Sequence, residues 1–237
     1  MHNISQLSYF YRMGAGQARS AVTKDEILRT AERLFALEGI DAVSTRRVAQ
    51  EAGQGNNSAL QYHFGDRATL LKSIVAARME PINRRRRGLL DAIDADGRAV
   101  TLADLVAVLV VPFVEQLLDE EGGVYYVRIA AQIFAKSEAE QVLGPERPWN
   151  EAFYTAIERM RPFLAHLPRV VQDRRFRFLA GHLVQATAAA EVMFRGLGSR
   201  ARLARVRTLA DELVDYTTGA LAAPRKAARS WRAPSSR

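Results

Sequence analysis

Residues 44–64, STRRVAQEAGQGNNSALQYHF, decide the fold of the first part of this chain. Ser44 is suited to cap a short helix over residues 45–52, because its hydroxyl can accept a hydrogen bond from a backbone N–H group of the first turn. Gly53 follows where a helix often ends in the left-handed conformation, which glycine adopts without a side-chain penalty. The pattern therefore predicts one short helix, a sharp turn and the start of a second helix.

The second short helix ends near Phe64 and has Asn56 or Asn57 as its N-cap. Leu60 and Phe64 are four residues apart, so both face the core. The opposite face carries two amides, a hydroxyl and an aromatic ring, from Asn57, Ser58, Gln61 and Tyr62. Such groups form hydrogen bonds with base edges and phosphates in the major groove of DNA. We therefore predict a helix-turn-helix whose second helix is a recognition helix.

The rest of the sequence predicts an all-α protein. Helical spacing of apolar residues begins at Thr23, and no alternating strand pattern follows Thr101. Asp66 is suited to cap a long helix that passes Pro81 and links a three-helix N-terminal domain to a larger helical domain. We expect four parts: a disordered extension over residues 1–20, a helix-turn-helix domain over 21–66, a helical ligand-binding and dimerisation domain over 67–223, and a basic disordered tail over 224–237.

Composition excludes several classes of protein. The chain of 237 residues has no cysteine, so disulfides and thiolate metal sites are excluded. It lacks a run of roughly 18 apolar residues and a secretory signal, so a cytoplasmic protein is expected, with Met1 or Met13 as its first residue. The histidines are dispersed and no Gly-rich phosphate loop is present, so we expect no metal and no cofactor.

The net charge of +8 favours an anionic partner, but much of the excess lies outside the helix-turn-helix. The tail from Pro224 to Arg237 has no acidic residue, and its basic residues are Arg225, Lys226, Arg229, Arg232 and Arg237. A second group of positive charges is the run from Arg84 to Arg87 on the long helix. Such a run is more often a solvated face than a binding site, and we expect a solvated face here.

The last two long helices carry apolar or small residues on more than one face. One face can pack within the domain, while the other needs a partner. A homodimer through a four-helix bundle is the economical solution, and it also gives the twofold axis that a helix-turn-helix protein needs to bind two half-sites. The residues expected at this interface are Leu183, Ala186, Ala189, Val206, Leu209 and Leu213.

Large apolar side chains in the middle of the chain leave room for a cavity between helices. Each of them alone is more often a core residue than part of a pocket. Together they predict a pocket for a small apolar molecule, lined by Phe113, Leu117, Tyr126, Ile129, Phe134, Trp149 and Phe153. We expect a molecule bound there to move the long helix that begins after Asp66.

Four segments resemble the TetR family of bacterial one-component repressors. They are LFALEG at residues 34–39, STRRVAQEAG at 44–53, SALQYHF at 58–64 and GDRATLL at 65–71. The resemblance covers about residues 23–75. It implies an N-terminal DNA-binding domain, a larger helical effector domain and a homodimer that binds double-stranded DNA at a palindromic operator.

The resemblance also implies roles for individual residues. Thr45 and Arg46 would lie near phosphate at the start of the second helix, Tyr62 and His63 would contact backbone phosphates, and Arg67 would reach phosphate from the next helix. The turn before the recognition helix is one residue longer than usual in the family, and Gln61 stands where tyrosine is common. The full set expected at DNA is Thr45, Arg46, Asn56, Asn57, Ser58, Gln61, Tyr62, His63 and Arg67.

Three classes of function remain open from the sequence. The first is a repressor that a small apolar effector releases from its operator, by changing the dimer geometry. The second is a DNA-binding regulator that has no small-molecule ligand. The third is a helical enzyme, which the sequence disfavours because it contains no recognisable group of nucleophile, base and orienting residue. A specific palindromic footprint separates the first two classes from the third, and loss of that footprint with an effector separates the first from the second.

Overall fold

The computed structural model of the protein describes residues 23–53, 58–119, 122–135 and 148–225. These ranges contain nine α-helices and no β-strand, so the all-α prediction is confirmed. The first helix, α1, covers residues 23–38. The others are α2 (Thr45–Glu51), α3 (Ser58–Phe64), α4 (Arg67–Ala95), α5 (Leu102–Val114), α6 (Gly123–Phe134), α7 (Glu151–Met160), α8 (Arg169–Phe194) and α9 (Ser199–Ala222). The expected extension over residues 1–20, the caps Asn56 and Asn57, and the tail beyond residue 225 lie outside the described residues.

The first three helices form the predicted helix-turn-helix domain. The Ser44 hydroxyl accepts a hydrogen bond from the backbone N–H of Arg47 at 3.2 Å, and Gly53 has a φ of 70°. Both local predictions are therefore confirmed. Buried side chains on the three helices form the domain core, and they include Ile27, Ala31, Leu34, Phe35, Val48, Leu60 and Phe64.

The long helix α4 joins the two parts of the protein. Its N-cap is Asp66, whose carboxylate accepts a hydrogen bond from the backbone N–H of Thr69 at 2.7 Å. The helix has 29 residues and continues past Pro81, which at 1.5 Å per residue gives a length of about 43 Å. Its N-terminal part buries Leu70, Ile74 and Val75, and the part from residue 79 onward buries Met79, Ile82 and Leu90. One helix therefore contributes to the cores of both domains.

The larger domain is built around α5. Nine residues of this helix are buried, and it packs against α4, α7, α8 and α9. Burial on most sides explains why its sequence is apolar around most of its circumference. Pro112 lies near the C-terminal end, where the α-helix changes into a 3-10 turn over Glu115–Leu118. None of the described helices has the length and the apolar character needed to cross a membrane.

The arginine run on α4 differs from the sequence prediction. Arg84, Arg85 and Arg87 form ion pairs with Glu80, Glu115 and Glu151 respectively. Arg86, in contrast, is only 2% exposed. The prediction of a solvated face was therefore wrong for this residue. Position 86 falls on the same helical stripe as the buried residues Met79, Ile82 and Leu90, which the larger domain covers.

Candidate functional site

The outward face of α3 carries the polar groups that the sequence predicted there. Leu60 and Phe64 fix the helix in the domain core, while Gln61 is exposed and Tyr62 is 83% exposed. Ser58 is also exposed, at the first residue of the helix. His63 is half-buried, and its ring lies 5.1 Å from the Tyr62 ring in an edge-on contact. This face can enter a major groove without any change in the core.

Two adjacent arginines on α2 have different surroundings. Arg47 forms ion pairs with Glu38 on α1 and Glu51 on its own helix. Arg46 is exposed and has no ion pair among the described residues. Thr45, the first residue of α2, is half-buried. Arg46 is thus available to a phosphate, whereas Arg47 stabilises the packing of α2 on α1.

Arg67 has an additional structural contact that the sequence did not predict. Its Nη1 donates to the backbone carbonyl of Asp41 at 3.0 Å and lies 3.4 Å from that of Ile40. The side chain therefore ties the start of α4 to the loop between α1 and α2. It is exposed and next to the recognition helix, but substituting it would disturb this loop as well as any phosphate contact.

Comparison with known proteins agrees with this geometry. Residues 27–74 match the model of the tetR family of bacterial regulatory proteins. The N-terminal part of the chain is therefore similar to the DNA-binding domain of tetR-family regulators. This similarity supports a DNA-binding transcriptional regulator, with the helix-turn-helix as the DNA-binding element.

Solved structures resemble this chain at low sequence identity. The fatty acid degradation regulator FadR from Bacillus halodurans is 16% identical over 81% of this chain and 94% of its own, with a TM-score of 0.55. AmtR from Mycobacterium smegmatis is 17% identical over 85% of this chain and 95% of its own, with a TM-score of 0.49. Comparison with curated protein sequences gives no match.

An internal pocket of about 460 Å³ lies in the larger domain, between α4, α5, α6, α7 and α8. This volume falls within the range that is usual for small-molecule sites. Its floor is made of buried side chains, among them Met79, Arg86, Phe113, Tyr126, Ile157, Phe176 and Val184. Exposed polar residues, including Glu158, Asp173 and Arg177, stand at its mouth. The pocket is therefore apolar inside, with Arg86 as a buried charge.

Some of the residues that the sequence predicted at a ligand pocket line this one. Phe113, Tyr126, Phe134 and Phe153 line the pocket. Three other expected residues lie outside its wall: Leu117 and Ile129 are fully buried in the core, and Trp149 belongs to the short turn Pro148–Asn150. The side formed by α8 was not expected, because that helix was assigned to the dimer. The helical spacing of Phe176, Ala180, Leu183 and Val184 is the signal that could have found it.

The residues expected at the dimer interface separate into two groups. Leu183, Val206 and Leu213 are buried within the single chain, so they serve its own core. Ala186 and Leu209 are half-buried, and Ala189 is exposed. Other large apolar side chains on the same two helices are exposed, namely Phe178, Val192 and Met193 on α8 and Leu203 and Tyr216 on α9.

Two sets of polar contacts connect the larger domain to the helix-turn-helix. In the first, Gln132 on α6 accepts a hydrogen bond from the backbone N–H of Ile40 at 2.8 Å and donates one to the carbonyl of Phe35 at 2.9 Å. Both backbone groups lie at the end of α1 and the start of the next loop. One amide side chain therefore joins α6 to the base of the DNA-binding domain.

The second set is centred on Arg78 of α4. Its guanidinium pairs with the buried Glu32 of α1 at 2.7 Å and with Asp119 at 3.0 Å. Asp119 also accepts hydrogen bonds from the backbone N–H groups of Gly122 and Gly123, where α6 begins. Both ends of α6 are consequently connected to α1, at the start through Asp119 and Arg78 and near the end through Gln132.

We predict that Gln132→Ala lowers the free energy of unfolding by about 1–3 kcal/mol, since the buried N–H of Ile40 loses its acceptor. The carbonyl of Phe35 keeps a bond from the N–H of Gly39. Urea unfolding measures the change, and amide exchange should quicken at Ile40. Gln116→Ala is the matched control, because that amide bonds only within its own helical segment. Equal effects of the two substitutions would contradict the role assigned to Gln132.

Proposed function

We propose that the protein is a repressor that leaves a palindromic operator when a small apolar effector fills the internal pocket. The observation that carries this proposal is that α6 both lines the pocket and contacts the helix-turn-helix domain. The helix contributes Tyr126, Ala130 and Phe134 to the pocket wall, and it holds the end of α1 through Gln132. A molecule that displaces α6 therefore also acts on the helix-turn-helix.

From the sequence alone, we expected α4 to transmit ligand binding from the pocket to the helix-turn-helix. We now propose that α4 and α6 both transmit it. Met79 and Arg86 of α4 line the pocket, and the first turn of α4 directly follows the recognition helix. A shift of either helix changes the separation of the two recognition helices in a dimer, which must match about one turn of DNA, roughly 34–36 Å. Lowering operator occupancy from 99% to 1% requires the effector to favour the released geometry by about 5.5 kcal/mol.

Filling the pocket tests effector release. We predict that Ala180→Phe abolishes the response to any compound that releases the wild-type protein from DNA, while operator affinity without the compound stays unchanged. Compounds are screened by loss of fluorescence anisotropy on an operator selected from random DNA. Ala95→Phe, an exposed change at the end of α4, is the control. A response that survives Ala180→Phe would contradict the pocket, and a screen without any releasing compound would favour a regulator that has no ligand.

The DNA-binding face gives a second prediction. Gln61→Ala should lose discrimination at one or two base pairs of each half-site, worth about 1–3 kcal/mol, because an exposed amide can pair with a base edge. Arg46→Ala should weaken binding to all sequences and lower the salt slope by about one unit per half-site. Binding to selected and altered operators at several salt concentrations measures both effects.

Arg207→Ala is the control for the loss of one exposed arginine, since that residue lies on α9, far along the chain from the helix-turn-helix. Arg67→Ala is a poorer test, because it also removes the bond to Asp41. An unchanged salt slope for Arg46→Ala, together with an unchanged base preference for Gln61→Ala, would mean that another surface contacts DNA.

The proposed dimer uses the exposed apolar side of α8 and α9. On α8, Phe178, Ala189 and Val192 lie on one side of the helix, at spacings of eleven and three residues. The rings of His182 and Tyr216 are 4.7 Å apart and join this side of α8 to α9. Exposed apolar side chains on two neighbouring helices favour a partner, and a second copy of the chain is the economical occupant, as the twofold symmetry of a palindrome also requires.

We predict that Phe178→Glu and Ala189→Glu each convert the dimer to folded monomers, because both side chains are exposed in the single chain and the new charge would be buried only in the dimer. Sedimentation velocity measures the mass, and circular dichroism checks the fold. Leu37→Glu places the same charge at an exposed apolar residue of α1 and should leave the dimer intact. Dimers that persist with both α8 substitutions would move the interface elsewhere.

A further inference from the structure

Arg86 is a buried cation that has no partner anion among the described residues. It is 2% exposed, lines the internal pocket, and among the described residues its Nε and Nη1 have no hydrogen-bond acceptor. Its neighbours in the run differ, because Arg84, Arg85 and Arg87 each have a carboxylate partner. Buried charged groups in proteins are normally paired, so the surroundings of Arg86 require an explanation.

The side chains around Arg86 offset its charge only in part. The guanidinium carbon lies 5.2 Å from the centre of the Phe153 ring, a distance at which a cation is attracted to an aromatic face. Tyr126 lies near enough to interact with its charge. Neither group carries a negative charge at neutral pH. The interaction with them stabilises the position of the guanidinium without neutralising it.

A second arginine of the pocket, in contrast, is paired with carboxylates. Arg161 forms ion pairs with Glu158 and Asp173, both at 2.9 Å. Those two acids stand at the exposed mouth, while Arg86 lies on the buried floor. Burial lowers the pKa of Arg86 to about 10, so its side chain remains cationic at neutral pH. Among the described residues, the floor of the pocket therefore holds a positive charge with room beside it and no anion.

The charge and the walls together define a class of ligand. One guanidinium balances one negative charge, which fits a carboxylate better than a phosphate monoester of about −1.5 to −2. We propose that the pocket binds a monocarboxylic acid with an apolar body, whose carboxylate pairs with Arg86 and whose body contacts Phe113, Phe153 and Phe176. This assignment deepens the proposed effector site and rests on that function only for its regulatory meaning.

The test compares acids with their primary amides, which have nearly the same shape and no charge. Isothermal titration calorimetry measures binding of 4-phenylbutyrate, 1-naphthylacetate and dodecanoate, each beside its amide, to the wild-type protein, Arg86→Met, Arg86→Lys and Arg84→Met. We expect at least one acid to bind the wild-type protein about tenfold or more tightly than its amide. Arg84→Met, the exposed neighbour on the same helix, should keep this preference.

Arg86→Met should remove the preference for the acid, and Arg86→Lys should retain part of it, because a lysine keeps the charge but not the planar fork. The acid-to-amide ratio of the wild-type protein needs no folded variant, so it decides the matter even if Arg86→Met fails to fold. Equal binding of acid and amide, an acid preference that survives in folded Arg86→Met, or no binding of any of the acids would overturn the assignment.

The same titrations separate this assignment from the proposed release of DNA. Acids that bind through Arg86 but leave the protein on its operator would contradict effector release and would support the ligand class. Compounds that release DNA but bind equally well as acid and as amide would support effector release and would overturn the ligand class.

Discussion

The side-chain amide of Gln132 is the contact on which the connection between the two domains depends. Its carbonyl oxygen accepts a hydrogen bond from the backbone N–H of Ile40, and its NH₂ group donates one to the backbone carbonyl of Phe35. Both backbone groups lie at the end of α1. A buried N–H without an acceptor is costly, so Ile40 and Gln132 are held together whenever the domains are folded. The ion pairs of Arg78 with Glu32 and Asp119 add a second junction at the other end of α6. The helix that lines the pocket is thereby fixed to the domain that binds DNA.

Under the proposed function, Arg86 would make the pocket selective for ligands that can pair with a cation. A fully apolar floor would accept many ligands of suitable size, whereas a buried guanidinium lowers the affinity for any ligand that cannot pair with it. The same residue lies on α4, so a ligand that reaches it contacts the two helices, α4 and α6, that lead to the helix-turn-helix. Recognition and transmission would then involve the same part of the protein.

Local sequence signals predicted the DNA-binding domain well. The Ser44 cap, the left-handed Gly53 and the inward pair Leu60 and Phe64 depend on residues only a few positions away, and the structure has all of them. The ion pair of Arg47 was not predicted, because its partner Glu38 lies on another helix. Spacing alone is enough where neighbours along the chain decide the structure.

The sequence was insufficient where tertiary packing decides which side chains are buried and which face solvent. Arg86 sits in a run of four arginines, and only the cover provided by the larger domain makes it the buried one. On α8 and α9 apolar residues occupy two sides, so periodicity could not tell that Leu183 and Leu213 face the core while Phe178 and Tyr216 face solvent. The pocket wall on α8 was missed for the same reason.

The most direct test of the connection through α6 is the distance between the two DNA-binding domains of a dimer. The chain has no cysteine, so Lys72→Cys, an exposed site near the start of α4, accepts one spin label per protomer. Pulsed electron resonance then measures the distance between labels with and without a ligand that fills the pocket. We expect a ligand-induced change of a few ångströms, and a smaller change in Gln132→Ala even though that variant still binds the ligand. A distance that the ligand leaves unchanged, or an equal change in Gln132→Ala, would contradict transmission through α6.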